Sequence, residues 1–382
     1  MTTGLADPGQ YPIRDEFADA VVRAIHESRL VGPDVVRAVA LIGVVLMNFH
    51  GYLIIRGGEQ ADNFWGRFFN PWDGPLGTRF AATFVLTAGV GVTLLTRSAI
   101  GDPAAVSARR WTLIRRGLLL WGFGELYYEI WAGSILPFYG AMFIVAAFIF
   151  TLATPVVLAV GVGSALAAAG IGWWATERQA GGHATTWLFN PGSNSPRGHV
   201  LDLFVNRTHP LLPWLAFLCA GIVLGRVLRT DWWRPIAIGV GFTLFGVATL
   251  IGSAFENPSQ LTAVMTDLDP DGPGRSLPYV ASALGTALIA FAVVSWVAER
   301  FRGSQLTHVF AHAGQMTLTL YIAHGLVFNF IVQWMSWVEP AGLDLALVFT
   351  LCYWTVAIAL GSLWHQRVHI GPAEWLYRKL GG

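Results

Sequence analysis

Ten apolar runs of roughly twenty residues alternate with short polar segments along this chain. They cover about 35–55, 79–97, 113–132, 135–154, 155–175, 211–229, 235–255, 278–298, 309–335 and 344–364. An α-helix needs about 20 apolar residues to cross the hydrocarbon of a bilayer, so each run is a candidate span. Only Pro155 separates the fourth run from the fifth, which predicts a tight hairpin or a re-entrant pair. Pro137 and Pro213 fall near helix starts, where proline costs least. Before the first run, residues 12–28 place Ile13, Phe17, Val21 and Ile25 at four-residue spacing. That periodicity predicts an amphipathic helix, lying on the membrane surface or packed on loops. No repeat of fixed period is visible, and no inverted pair of interrupted helices marks a transporter.

Arginine placement orients the predicted bundle. Arg97, Arg109, Arg110, Arg115 and Arg116 surround one turn, and Arg226, Arg229 and Arg234 another. Arg300 and Arg302 mark a third, and Arg367, Arg378 and Lys379 the tail. All share one side if the N-terminus is cytoplasmic, while the turns at 132–135 and 336–343 carry no Lys or Arg. Arg56, Arg67, Arg178, Arg197 and Arg207 fall in two longer loops, the kind that escapes the rule most easily. The expected fold is therefore all-α: a polytopic helical bundle of about ten spans, N-in and C-in.

Composition agrees with the spans. Of 382 residues 54% are hydrophobic and 12% charged, about half the charge density of a soluble domain. A net charge of +1 offers no basic excess for a nucleic-acid partner. Only Lys379 among the 24 basic residues is a lysine, which fits a high-GC genome and carries no mechanism. Cys219 and Cys352 sit in apolar runs and read as buried spectator thiols. Residues 1–30 carry Asp7, Asp15, Glu16 and Asp19 and predict no cleavable signal peptide.

An ionisable group within a span costs about 3 kcal/mol or more, so each is a functional candidate. The predicted topology puts Asn48 and His50 near the outer end of the first span and Arg79 at the outer start of the second. Glu125, Tyr127 and Glu129 lie toward the outer end of the third, His209 opens the sixth, and His324 sits in the outer part of the ninth. Asp73, Arg207 and Arg275 adjoin these ends. A histidine, a carboxylate and an arginine in one apolar cavity can perform acid–base or acyl-transfer chemistry. His50 and His324 are expected to face one shared pocket. Bland readings stand beside this one. Either histidine could bond a carbonyl, Glu125 could lock onto an arginine, and Arg37 could snorkel to the inner face. Trp131, Trp173, Trp174, Trp334 and Trp337 read as interfacial belts. Gly161, Gly163, Gly170 and Gly172 read as close helix packing.

No phosphate-binding loop, dinucleotide fingerprint, His-Glu-x-x-His pair or cysteine cluster occurs. Asp267, Asp269 and Asp271 alternate, but the closing glutamate of a calcium loop is missing, and no metal site is expected.

Six short segments, in order, resemble one family. They are 32–50 (Gly-Pro-Asp-Val-Val-Arg through Met-Asn-Phe-His), 79–91, 115–116 with Ile135-Leu-Pro-Phe-Tyr-Gly140, His209-Pro-Leu-Leu-Pro-Trp-Leu215 with Gly225-Arg226, Ala313 to His324, and Gly371-Pro-Ala-Glu-Trp-Leu376. Together they are similar to bacterial membrane proteins of the heparan-alpha-glucosaminide N-acetyltransferase type. The resemblance implies a transmembrane acyltransferase fold at 31–370, flanked by a cytoplasmic segment at 1–30 and a cytoplasmic tail at 371–382. It implies an acetyl-CoA-like co-substrate, no tightly bound cofactor, and an extracytoplasmic glycan or glycolipid acceptor in the cell envelope. The wider superfamily places a histidine fourteen residues after the first-span aspartate. Asn48 stands there in this chain, with His50 two residues on. The eukaryotic enzyme's histidine precedes a stretch matched here by Asn70-Pro-Trp-Asp-Gly74.

The resulting expectation is acyl transfer in a bacterial plasma membrane, among membrane lipids and possible envelope-enzyme partners. His50 is the expected base or acyl carrier and His324 the alternative, with Asp73 or Glu125 orienting a histidine. Asn48, Arg79, Tyr127, Tyr139, His209 and Arg275 are expected to bind substrate. The competing class is a transporter or a non-catalytic scaffold for envelope enzymes.

Overall fold

A computed structural model describes residues 30–191, 195–254, 276–368 and 370–382, and among these every regular element is helical. The long helices are α1 (Val31–Ile55), α3 (Arg79–Thr96), α4 (Pro103–Tyr128), α5 (Leu136–Ile149) and α6 (Thr154–Ala180), with a short α2 (Phe64–Phe68) before α3. Two short helices, α7 (Thr186–Phe189) and α8 (Pro196–Phe204), lead to α9 (Leu211–Val227), α10 (Trp233–Ala254) and α11 (Leu277–Arg300). The chain closes with α12 (Gln305–Gln315), α13 (Thr317–Phe328, prolonged by a π-helical turn to Trp334), α14 (Leu343–Val368) and α15 (Pro372–Gly381). Residues 12–28, Asp267, Asp269, Asp271, Arg275 and His369 lie outside the described residues.

Seven described helices are long and apolar enough to cross a membrane: α1, α3, α6, α10, α11, α13 with its π turn, and α14. α5 and α9 are apolar but shorter. α4 runs 26 residues but carries Arg109, Arg110, Arg115 and Arg116. α1 and α3 are mostly buried, whereas α6, α10 and α14 turn most of their apolar surface outward. Leu250 is 70% and Leu351 69% exposed, and side chains of that size facing outward need lipid as their solvent.

Two expectations about the ladder change. The ninth run is not one helix, because α12 ends at Gln315 and the backbone at Met316 leaves helical geometry. The Glu374 carboxylate of α15 then caps the next helix by accepting from Leu318 N (2.6 Å) and Thr319 N (3.2 Å). A carboxylate at a helix start satisfies orphan amides and meets the positive end of the dipole. Trp131 is not in an interfacial belt: it is fully buried, with its ring 3.8 Å from that of Tyr52. Trp173, Trp174, Trp334 and Trp337 are exposed, as a belt requires. Cys219 is buried, but Cys352 faces outward from α14, and both are free thiols.

Sequence sets how closely helices approach. A Cβ on Gly221 of α9 would stand 2.0 Å from the Leu86 carbonyl oxygen of α3, and one on Gly89 of α3 2.2 Å from that of Leu218. The paired glycines let the two backbones touch, as in membrane helix pairs rich in small residues.

Arginines gather at the end of the bundle where α1 begins, the near end. Arg110 Nε donates to the Ala147 carbonyl (3.0 Å) at the end of α5. Arg226 donates to the Phe150 (3.1 Å) and Leu152 (2.8 Å) carbonyls and to Thr154 Oγ1. These carbonyls have no partner within their own helix, so the cations satisfy them and meet the negative end of the dipole. Arg234 of α10 pairs with Glu299 of α11 at the same end.

Candidate functional site: two stacked chambers

Two cavities lie end to end along α1. The near chamber, about 530 Å3, is walled by α1, α3, α4, α5, α13 and α15. The far chamber, about 370 Å3, is walled by α1, α3, the turn after α4 and the segment before α9. Phe84, Ile135 and Tyr321 line both.

The near chamber is basic at its mouth and hydroxyl-lined within. Arg37, Arg116 and Arg378 line it together with Asp34, Glu374, Tyr139 and Tyr377. Arg37 does not snorkel outward, since its Nη1 donates to the Gly314 carbonyl (3.2 Å) beside Asp34 (3.4 Å). Arg116 stacks over Tyr377 and gives one donor to the Gly382 carbonyl (2.8 Å). Its Nε, the Tyr377 hydroxyl and the Tyr139 hydroxyl are buried with no protein partner. Buried donors without partners are costly, so a cavity that collects several is suited to an anionic, acceptor-rich ligand. Burial pushes the Glu374 carboxyl above its ordinary value, against the bonds from Thr319 and Leu318.

The far chamber is aromatic and amphipathic. Tyr52, Trp72, Phe80 and Tyr128 line it with Asn48, Thr78, Thr208 and His209. His209 is 7% exposed, its ring stands 4.5 Å from that of Trp214, and its Nδ1 has no partner. Burial holds its imidazole far below the ordinary value, at about 3, so it is neutral at physiological pH with a nitrogen lone pair available.

His50 and His324 do not share this cavity, contrary to expectation. Both are fully buried, and neither is among the residues lining the far chamber. His50 Nδ1 donates to the Phe69 carbonyl (2.7 Å), leaving Nε2 buried without a partner. His324 Nδ1 donates to the Tyr321 carbonyl, which fixes the tautomer, so its Nε2 accepts from Asn48 Nδ2 (3.1 Å). Asn48 therefore stands between His324 and the cavity.

No carboxylate orients either histidine in the way the sequence suggested. Glu125 accepts from Arg207 (3.2 and 3.3 Å) and Trp121 (3.2 Å), which is the structural-lock reading. Asp73 is exposed beside a shallow surface pocket with Arg67 and Asn70. Arg79 lies over the Tyr279 ring, 5.6 Å from its centre, and is not among the residues lining the far chamber. The Tyr127 hydroxyl donates to the Ile322 carbonyl (2.8 Å), binding α4 to α13. Tyr139 lines the near chamber and not the far one. Among the described residues no cluster of His, Cys, Asp and Glu could hold a metal.

Sequence reasoning missed Tyr52, Tyr128, Arg116, Tyr321 and Tyr377. Arg116 had a signal, a cation inside an apolar run, but it read as an inner-face charge. The tyrosines carry no spacing pattern, and only the crossing of distant helices brings them together.

Two family models match the chain. Residues 29–254 match heparan-alpha-glucosaminide N-acetyltransferase, catalytic. Residues 243–381 match a protein of unknown function (DUF418). Each chamber draws on both matched regions: Tyr321 belongs to the second, Asn48, Arg116 and His209 to the first. No curated protein matches the chain. With more than half its length covered, seven membrane-length apolar helices and an acetyltransferase-type match, the chain is a multi-pass membrane protein belonging to the heparan-alpha-glucosaminide N-acetyltransferase catalytic family.

Proposed function

We propose that the protein transfers a short acyl group from a phosphate-bearing thioester, of the acetyl-CoA kind, to a glycan or glycolipid acceptor across the membrane. The near chamber takes the donor from the cytoplasm, and the far chamber takes the acceptor outside. The observation that carries this reading is the pair of abutting cavities with opposite chemistry, one basic and one aromatic. Arg37, Arg116 and Arg378 neutralise phosphate charge. Tyr52, Trp72 and Tyr128 offer apolar faces for a sugar ring, with polar tips for its hydroxyls.

The arginine-rich near end is the cytoplasmic side by the positive-inside rule, and α4, α5 and α9 complete ten spans. The site then lies in the plasma membrane with its far chamber open toward the envelope.

Transfer needs a base for the acceptor proton. His209 is the histidine on the cavity wall, and its imidazole has a ring nitrogen with no protein partner. The acceptor oxygen or nitrogen attacks the thioester carbon, and the carbon–sulfur bond breaks. The acceptor proton passes to His209, and the departing thiolate is protonated in turn. Asn48, held by His324, fixes the acceptor in the far chamber.

The test is radiolabelled acetyl-CoA mixed with purified protein and a panel of amino-sugar and glycolipid acceptors. Label should appear in one acceptor class. His209→Ala should slow transfer at least ~100-fold, the usual scale of a lost base, with coenzyme A binding unchanged. No transfer to any acceptor, or full activity in the variant, would contradict the reading.

A further inference from the structure

The wall between the chambers is built differently from either chamber. Phe84 of α3, Ile135 before α5 and Tyr321 of α13 are the residues that line both cavities. Ile135 and Tyr321 are 4% and 2% exposed. The Tyr321 hydroxyl accepts from the Ile135 amide at 3.0 Å, which ties two sides of the wall together. The Phe84 ring stands 5.6 Å from that of Tyr139, with no polar atom to anchor it. The wall thus presents a phenyl ring, a branched alkyl group and a tyrosine ring, while the charges of the near chamber stay on its other side. A phosphate-bearing carrier would lose its hydration in such a constriction with no cation to replace it. A small neutral acyl group carries no such penalty.

We infer that Phe84, Ile135 and Tyr321 form an apolar septum that selects the transferred acyl group by its length, with Phe84 the side chain that sets the limit. This rests on the acyl-transfer reading above and adds the choice of donor to it. The Tyr321 hydroxyl holds the Ile135 backbone amide, so truncating Tyr321 disturbs the scaffold, and Ile135 is itself fixed at its backbone. Phe84 has only its ring to lose, and its removal widens the passage on one side. A methylene group that a tight apolar site excludes is discriminated roughly 10- to 200-fold.

The experiment compares acetyl-, butyryl- and hexanoyl-CoA as donors for wild type, Phe84→Leu and Phe84→Ala. Transfer and equilibrium binding are both measured on the full-length protein, with elution profiles checking the fold. Wild type should prefer acetyl-CoA. The hexanoyl-to-acetyl ratio should rise at least ~10-fold in Phe84→Ala, with Phe84→Leu between them, in rate and in binding alike. Folded variants that keep the wild-type chain-length preference would overturn the septum proposal and leave acyl transfer standing. A wild type that neither binds nor transfers any of the three donors would overturn both. If Phe84→Ala does not fold, Phe84→Leu decides by the direction of its ratio.

Discussion

Asn48 and His50 are two residues apart, yet they do different things. Two positions on an α-helix are about 200° apart in azimuth, so one faces the cavity while the other points into the protein. Asn48 lines the far chamber, and His50 bonds the Phe69 carbonyl. A list of titratable residues at one depth does not make that distinction, because depth along a helix carries no azimuth. The sequence marks His209 as a binding residue, but its buried, unpartnered nitrogen depends on the packing of Trp214 and Phe138 and carries no sequence signal. Its neutrality has a consequence for pH. Because burial holds it near 3, acidification through the ordinary histidine range leaves it unprotonated in the free enzyme. Activity should therefore show no histidine-like loss between about pH 8 and 5, read as kcat/KM across that range. A loss centred in that range would show that a different group is the base. On the donor side, Arg116→Gln should weaken coenzyme A binding by about 1.5–3 kcal/mol, roughly 10- to 100-fold in Kd by calorimetry.

Helices were the legible layer. Runs of apolar residues mark them because a membrane-length helix must be apolar along its whole length. The boundaries drifted where tertiary contacts decide them. α12 and α13 read as one span because apolar residues continue on both sides of Met316, and Gly314 alone is too common within membrane helices to announce the break. The cap that starts α13 comes from Glu374, far along the chain, so no local pattern carries it. The α3–α9 contact makes a prediction at this scale. Gly221→Ala puts a methyl group against the Leu86 carbonyl and forces the helices apart, at about 1–3 kcal/mol. Thermal unfolding in detergent should shift downward for Gly221→Ala and stay unchanged for Gly163→Ala, where a Cβ meets nothing within 4 Å.

At the scale of the whole molecule, one array of helices holds a basic cavity at one end and an aromatic cavity at the other. The contrast follows from the placement of charge. Arginines that satisfy helix carbonyls also make the near end positive, and two of those lining its chamber, Arg116 and Arg378, come from helices far apart in sequence. The far end has histidine, asparagine and aromatic rings where the near end has guanidinium groups. Arginine-bearing turns gave this polarity to the sequence reading. The cavities did not show in it, since each wall is assembled from segments hundreds of residues apart. The proposed transfer across the membrane requires donor and acceptor on opposite faces of the bilayer. Sealed proteoliposomes test this directly, with radiolabelled acetyl-CoA outside and a membrane-impermeant acceptor placed either inside or outside. Labelled product should form when the acceptor is trapped inside, made by the molecules whose near end faces outward, and in neither orientation when both substrates share the outer solution. Product formed with both substrates on the same side would contradict the two-chamber account.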